Sequence, residues 1–311
     1  MKLDIIVPLY NEEENLADFY NEVKKALENI EYRIIFINDG SSDNSLKVLK
    51  DLYKFDKKRV RVVSFSRNFG KESAIYAGLK NSNAEYTAII DADLQQDPNY
   101  LLDMLNKLDK NNDVDSICMI QAQKKNRFFQ KLFYKFINKI SKTNFVNGAS
   151  DFRMFRKKVV ESILSLSEKN RFSKGIFSWV GFNTLYLPYV VKERKKGKSK
   201  WNFFKLLNYA IDGFVGFSTS PLKFSVYLGL LSSISSFIYL IVILIKTLIK
   251  GKDVPGYASI ICLILFIGGC ILLSIGILGE YLAKTYLEVK NRPIYIESEK
   301  IGFESDILYN Q

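Results

Sequence analysis

Two carboxylates one residue apart, Asp91 and Asp93, end a short apolar run at residues 88–90. The run reads as a buried strand, and in open α/β sheets ligands bind just beyond the carboxyl ends of strands. A carboxylate pair there suits a hard divalent ion that keeps coordination positions for substrate phosphate oxygens. A second reading is a strand end followed by a helix cap, with Asp97 as N-cap and Pro98 at the first helical position. For Asp97 the cap is preferred; for Asp91 and Asp93 both readings stand on this stretch alone.

The remaining composition narrows the chemistry. The 311 residues contain no histidine. That excludes Ser-His and Cys-His nucleophiles and His-ligated metals, leaving carboxylates, bound metal, Arg and Lys. Cys118, Cys262 and Cys270 form no Cys-x-x-Cys pair and read as reduced packing residues. The net charge is +12, which fits anionic substrates, a membrane surface or nucleic acid. Met1-Lys2-Leu3-Asp4 enters a strand directly and reads as no secretory signal.

The elements that must position the carboxylates follow in chain order. Residues 3–9, 33–37 and 60–65 are apolar, β-branched runs that read as buried strands. Helical spacing appears over 12–28, from about 44, and over 73–79. Asn11 is expected to cap the first helix, with Glu14 completing a capping box. Strands alternating with helices predict a mostly parallel α/β sheet covered on both faces. Three strand ends carry acids or acid–amide pairs: Asn11/Glu12, Asn38/Asp39 and Asp91/Asp93. Together they line one sheet edge like a nucleotide crevice. No Gly-x-Gly-x-x-Gly or Walker loop is present, so metal and side chains are expected to hold the phosphates.

Residues 115–120 read as a further strand, 147–153 as a turn leading into a new element, and 170–182 as a motif-like stretch. Residues 124–142 interleave lysines with Phe and Ile, which suits a helix packed on the core or lying on a membrane surface. Residues 192–201 form a cationic loop with Gly197, Ser199 and Trp201 that could fold over phosphate, and 202–217 an amphipathic segment. Two uncharged stretches, 224–245 and 257–278, reach the roughly 20 residues needed to cross a bilayer. They predict a transmembrane hairpin whose basic flanks place both ends in the cytoplasm. Residues 291–311 read as a polar tail.

In order, these stretches resemble family 2 glycosyltransferases of GT-A fold, in particular polyprenyl-phosphate glycosyltransferases such as bacterial bactoprenol glucosyltransferases and, more distantly, dolichyl-phosphate mannose synthases. The resemblance covers about residues 3–290 and rests on residues 6–15 (IVPLYNEEEN), 38–43 (NDGSSD), 66–71 (SRNFGK) and 91–95 (DADLQ). It continues through Asp151-Phe152-Arg153, Asn170-Arg171-Phe172, residues 179–182 (WVGF), and Arg194, Gly197, Ser199, Lys200 and Trp201. The relatives carry arginine-rich signatures where this chain has residues 121–127 (QAQKKNR), so no phosphate role is given to that stretch.

The resemblance implies a domain plan: a GT-A domain at 1–201, a juxtamembrane segment at 202–222, a hairpin at 223–285 with spans near 224–245 and 257–279, and a cytoplasmic tail at 286–311. It implies that Pro8, Tyr10, Glu12, Asp39 and Asp91 surround the nucleotide. Asp91, Asp93 and Gln95 would hold Mg²⁺ or Mn²⁺ on the diphosphate. Asp151 and Arg153 would lie near the reacting centre, as base or orienting group in the case of Asp151. Arg194, Ser199 and Lys200 would meet phosphates from a loop. The implied partners are a UDP-sugar, a polyprenyl phosphate, the bilayer and further copies of the chain, with no nucleic acid. The implied reaction is inverting hexose transfer, glucose first, with N-acetylglucosamine, galactose or another acceptor as alternatives. A processive synthase would show a Gln-x-x-Arg-Trp motif and more spans, which are absent here. A membrane scaffold or nucleic-acid binder is the non-enzymatic alternative.

Overall fold

A computed structural model describes residues 1–122, 146, 148–192, 215–216, 218–250 and 256–303. The expected basic helix at 124–142, most of the amphipathic segment at 202–217, and the loop with Arg194, Ser199 and Lys200 lie outside the described residues. Strand β1 (Leu3–Leu9) is buried at every position, as expected of a central parallel strand covered on both faces. Its side chains alternate between two cores: Leu3, Ile5 and Val7 face one, Ile6 the other.

β1 pairs in parallel with β2 (Tyr32–Asn38) on one side and with β4 (Tyr86–Ile89) on the other, while β3 (Val60–Phe65) adds in parallel to β2. Helices α1 (Leu16–Ala26), α2 (Ser45–Phe55) and α3 (Lys71–Asn81) make the crossovers. The order reverses between β1 and β4, so a topological switch point lies at their carboxyl ends. Helix α4 (Asn99–Lys110) follows β4. The first core packs α1, α2 and α4 on one face of the sheet. The second packs α3, α5 (Lys157–Ser165) and α6 (Ser173–Trp179) on the other. At Gly78 of α3, a Cβ would stand 2.1 Å from Ile6 Cγ2, so only glycine lets α3 approach β1 this closely.

Beyond β4 the sheet is mixed. β6 (Ala149–Arg156) runs antiparallel to β4 and to β5 (Ser116–Gln121), and β7 (Thr184–Tyr189) adds in parallel to β5. In the β4–β6 register Ile89 faces Arg153. Continued by two residues, that register sets Asp151 opposite Asp91.

Helices α7 (Ser220–Lys250) and α8 (Tyr257–Val289) form the C-terminal apolar hairpin; α7 extends past its expected span at both ends and α8 only at its C-terminal end. Their apolar windows have mean hydropathies of 2.4 and 2.6 and are 0% buried. The chain then returns to the sheet. β8 (Glu297–Ile301) pairs antiparallel with β3, so part of the segment read as a tail is the outermost strand. The architecture is a mostly parallel α/β sheet followed by a two-helix hairpin, as expected.

Two local readings change. Asn11 does not cap α1, which begins at Leu16; it adopts φ 52° and bonds across to the next strand end. The stretch at 170–182 becomes α6 and a turn at Gly181, where φ is 73°.

Candidate active site

Asp91 lies two residues beyond the end of β4 and is held by its own loop. Its N–H donates to Gln96 Oε1 at 3.0 Å, and Gln96 Nε2 donates to Asp91 Oδ2 at 3.1 Å. Gln96 is itself buried. Burial alternates along the loop: Ala92, Leu94 and Gln96 are buried and Asp91, Asp93 and Gln95 half-buried, and Asp91, Asp93, Gln95 and Gln96 all border the cleft. Leu94 takes φ 58°, a conformation unusual for leucine, and Gln95 N–H donates to Asp93 Oδ1 at 3.2 Å. Asp97 behaves as a cap: its Oδ1 accepts from the Asn99 N–H at 3.0 Å.

Lys71, the first residue of α3, joins the two sides of the site. Its Nζ lies 2.7 Å from Asp91 Oδ1 and 3.1 Å from Asp151 Oδ2. The side chain is 40% exposed and borders the cleft, and its ammonium lies between the two carboxylates. Desolvation alone would lower its pKa; Asp91 and then Asp151 outweigh that and raise it. Burial would likewise raise the Asp151 pKa, but Lys71, Lys174 and Arg153 hold that carboxyl well below the usual range. Arg153 itself is buried behind Asp151. Its Nε donates to the Ser150 carbonyl at 3.0 Å, and its guanidinium lies 5.0 Å from the Phe177 ring centre. It acts on the site through its charge and does not line the cleft.

The neighbouring strand ends are cross-tied. Asn11 N–H donates to Ser41 Oγ at 2.9 Å, and Glu12 N–H to Ser45 Oγ at 3.0 Å. Asp39, buried, accepts from the Phe69 N–H at 2.6 Å and from the Gly70 N–H at 3.0 Å. Burial raises its pKa, opposed by these two amides. The carboxylate of Asp39 thus holds the loop that delivers Lys71. At Gly40, φ is 63° and a Cβ would stand 2.3 Å from the Arg67 backbone, which fits the two loops together. Pro8 sits in β1 opposite Ile37. Pro8, Tyr10, Glu12 and Asp39 lie on the sheet edge beside the Asp91 cleft, not within its lining.

The cleft has a volume of about 1260 Å³. Asp91, Asp93, Gln95 and Asp151 from the sheet side line it together with Tyr281, Lys284, Thr285 and Glu288 of α8. Sequence reasoning missed Lys71, Lys174, Gln96 and the α8 face. Lys71 lies inside a quoted motif, but its contact with Asp151 depends on the β4–β6 register; Gln96 lies beside one, and its bonds to Asp91 are local to the loop.

Two family models match the chain: "Glycosyl transferase family 2" over residues 4–164 and "GtrB C-terminal hairpin" over residues 220–285. The chain belongs to glycosyl transferase family 2. CsbB of Bacillus subtilis (strain 168), a protein named as a glycosyltransferase, is 43% identical over 303 residues, covering 96% of this chain and 91% of its own. The SfII prophage-derived bactoprenol glucosyl transferase of Shigella flexneri is 41% identical over 301 residues, covering 95% and 97%. Among solved structures, the Mycobacterium tuberculosis glucosyl-3-phosphoglycerate synthase in complex with Mn²⁺, UDP and phosphoglyceric acid aligns with a TM-score of 0.49 at 12% identity. That alignment covers 69% of this chain and 76% of its own.

For this family 2 glycosyltransferase, the donor set at the Asp91 loop fits a hard divalent ion. Asp91, Asp93 and the Gln95 side-chain carbonyl offer oxygen only, the chemistry of Mg²⁺ or Mn²⁺ sites. Among the described residues, no group of three or more His, Cys, Asp or Glu is placed to hold a metal. Two carboxylates with phosphate oxygens completing the shell is the usual arrangement at nucleotide sites.

Proposed function

We propose that this protein is a membrane-anchored inverting glycosyltransferase that moves glucose from UDP-glucose to a polyprenyl phosphate on the cytoplasmic face of the membrane. The observation that carries this reading is the shared cleft, lined both by carboxylates suited to a metal–diphosphate and by the last turns of an apolar, membrane-length helix. Relatives named bactoprenol glucosyl transferases, aligned through both family 2 and hairpin segments, support the sugar and the lipid.

The chemistry suits a chain without histidine. A phosphate monoester is largely anionic at neutral pH and attacks the anomeric carbon with little help from a base. Single displacement inverts an α-linked donor to a β-linked product. When bound by Asp91, Asp93 and Gln95, Mg²⁺ or Mn²⁺ supplies Lewis-acid neutralisation of the departing diphosphate. Pro8, Tyr10, Glu12 and Asp39 flank the nucleotide half of the edge, and Arg194, Ser199 and Lys200, outside the described residues, are assigned to phosphate contacts. Asp151, whose carboxyl Lys71 holds below the usual range, orients the reactants and offsets positive charge at the anomeric carbon.

The chain leaves the sheet after β7, passes through the hairpin and returns as β8. Both hairpin ends therefore lie on the catalytic side, and the basic flanks favour the cytoplasm for that side. Assembly into a homo-oligomer belongs to the same proposal.

The test is incubation of the purified full chain in lipid nanodiscs with undecaprenyl phosphate, Mg²⁺ or Mn²⁺, and separately labelled UDP-glucose, UDP-N-acetylglucosamine and UDP-galactose. Label in the lipid extract with UDP-glucose first among the three supports the reading. Preferential use of another donor replaces the sugar, and absence of lipid-linked label with all three contradicts the reaction.

A further inference from the structure

Helix α8 has 33 residues, about 50 Å at 1.5 Å per residue, against a hydrocarbon core of about 30 Å. Its charged residues begin at Glu280, so the final turns stand beyond the apolar span. Tyr281, Lys284, Thr285 and Glu288 recur there at helical spacing, share one face, and all four line the cleft. The other side of these turns, with Leu282, Tyr286 and Val289, is exposed.

That face is fixed to the catalytic domain. Glu288 accepts from the Lys169 N–H at 3.0 Å and from the Asn170 N–H at 2.8 Å. The Tyr281 hydroxyl donates to the Ser218 carbonyl just before α7. Downstream of the latched loop, Ser173 donates from both its N–H and its hydroxyl to Glu72, the neighbour of Lys71. The position of α8 is thereby tied to the residue that bridges Asp91 and Asp151.

We propose that this face of α8 forms the subsite for the acceptor's phosphate monoester: Lys284 meets the phosphate, and Glu288 is the positioning residue that holds the helix wall against loop 166–172. The inference rests on the lipid-phosphate acceptor proposed above and names the residues that receive it. An acceptor anchored in the bilayer presents its phosphate at the headgroup level. There α8 passes directly from the membrane into the cleft, with a lysine facing inward. A hydrogen-bonded ion contact of this kind commonly contributes enough binding that its loss costs about 10- to 100-fold in affinity.

The test uses the full chain in nanodiscs, with wild type, Lys284→Ala, Lys284→Arg and Glu288→Ala compared in zwitterionic lipid and in lipid containing phosphatidylglycerol. The expected result for Lys284→Ala is a KM for undecaprenyl phosphate raised about 10- to 100-fold in both lipids, with the KM for UDP-glucose within about twofold. Lys284→Arg should restore most of the acceptor affinity. Glu288→Ala should raise the acceptor KM selectively while UDP binding persists. An unchanged acceptor KM in Lys284→Ala, or equal changes in both KM values, overturns the subsite. An effect confined to phosphatidylglycerol discs also overturns it, assigning Lys284 to phospholipid headgroups. Failure of the wild type to glucosylate the lipid overturns the proposed function and the subsite together, whereas wild-type transfer with an indifferent Lys284→Ala overturns the subsite alone.

Discussion

At the scale of single residues, the site is organised by one lysine among carboxylates. Lys71 holds Asp91 and Asp151 at 2.7 and 3.1 Å, and its charge offsets the burial that would otherwise raise the Asp151 pKa. A carboxyl with a depressed folded-state pKa stabilises the fold above its unfolded pKa, and that contribution fades only as pH falls through the folded value. For Asp151 this window lies below the ordinary carboxylate range. In Lys71→Met, burial is less opposed, so the Asp151 pKa should rise and the acid limb of the rate and of Tm should move to higher pH. Paired pH–rate and pH–Tm profiles check this; superimposable acid limbs would remove Lys71 from the role. The Asp91/Asp93 pair was legible in the sequence because carboxylates directly after an apolar strand are a local signal. The contact made by Lys71 was not, because the distance from residue 71 to residue 151 is set by sheet pairing. Arg153 shows the converse: its motif position was legible, but it lies two residues further into β6 than Asp151, opposite Ile89, where it is buried against Phe177.

At the scale of elements, the loops after β1, β2 and β3 behave as one unit. Asp39 ties β2 to the 66–70 loop, and Gly40 lets the two backbones touch. Gly40→Ala adds a Cβ into the Arg67 backbone at a positive φ. The expected cost is about 1–3 kcal/mol of stability together with weakened UDP binding, because the loop carrying Lys71 must shift. Calorimetric Tm and UDP titration measure the two effects, and a variant with wild-type values for both would show that the loops are not coupled. The parallel strands β1 to β4 were legible as short, mainly apolar runs, interrupted in β1 by Asp4 and in β3 by Arg61 and Ser64. β6 was not, since Ser150, Asp151, Arg153 and Arg156 interrupt its apolar residues. β8 reads as polar (ESEKI) because edge strands carry charge on their open side. The capping box expected at Asn11 failed because its side chain is used across strands, by the Ser42 N–H at 2.8 Å.

At the scale of the whole molecule, the sheet closes only after the membrane hairpin has been made. β8 contributes the Lys50–Glu299 ion pair at 2.7 Å, and Tyr295 just before it stacks on Phe65 with ring centres 4.7 Å apart. Deleting residues 294–311 should bare the β3 edge, lower Tm and promote aggregation; unchanged thermal and light-scattering profiles would show β8 to be dispensable. The net charge of +12 is consistent with a catalytic edge held at an anionic surface, and the hairpin was legible because apolar length is a global signal. In the proposed reaction a lipid phosphate attacks a UDP-sugar held with its metal at the Asp91/Asp93 loop. The most direct measurement follows radiolabelled glucose from UDP-glucose into undecaprenyl phosphate in nanodiscs, wild type against Asp93→Ala, with Mg²⁺ or Mn²⁺ present and after chelation. The expected result is lipid-linked label from the wild type that disappears on chelation, and a rate lowered about 100- to 1000-fold in a folded Asp93→Ala. Full metal-dependent transfer by Asp93→Ala, or label that never enters the lipid phase, would contradict it.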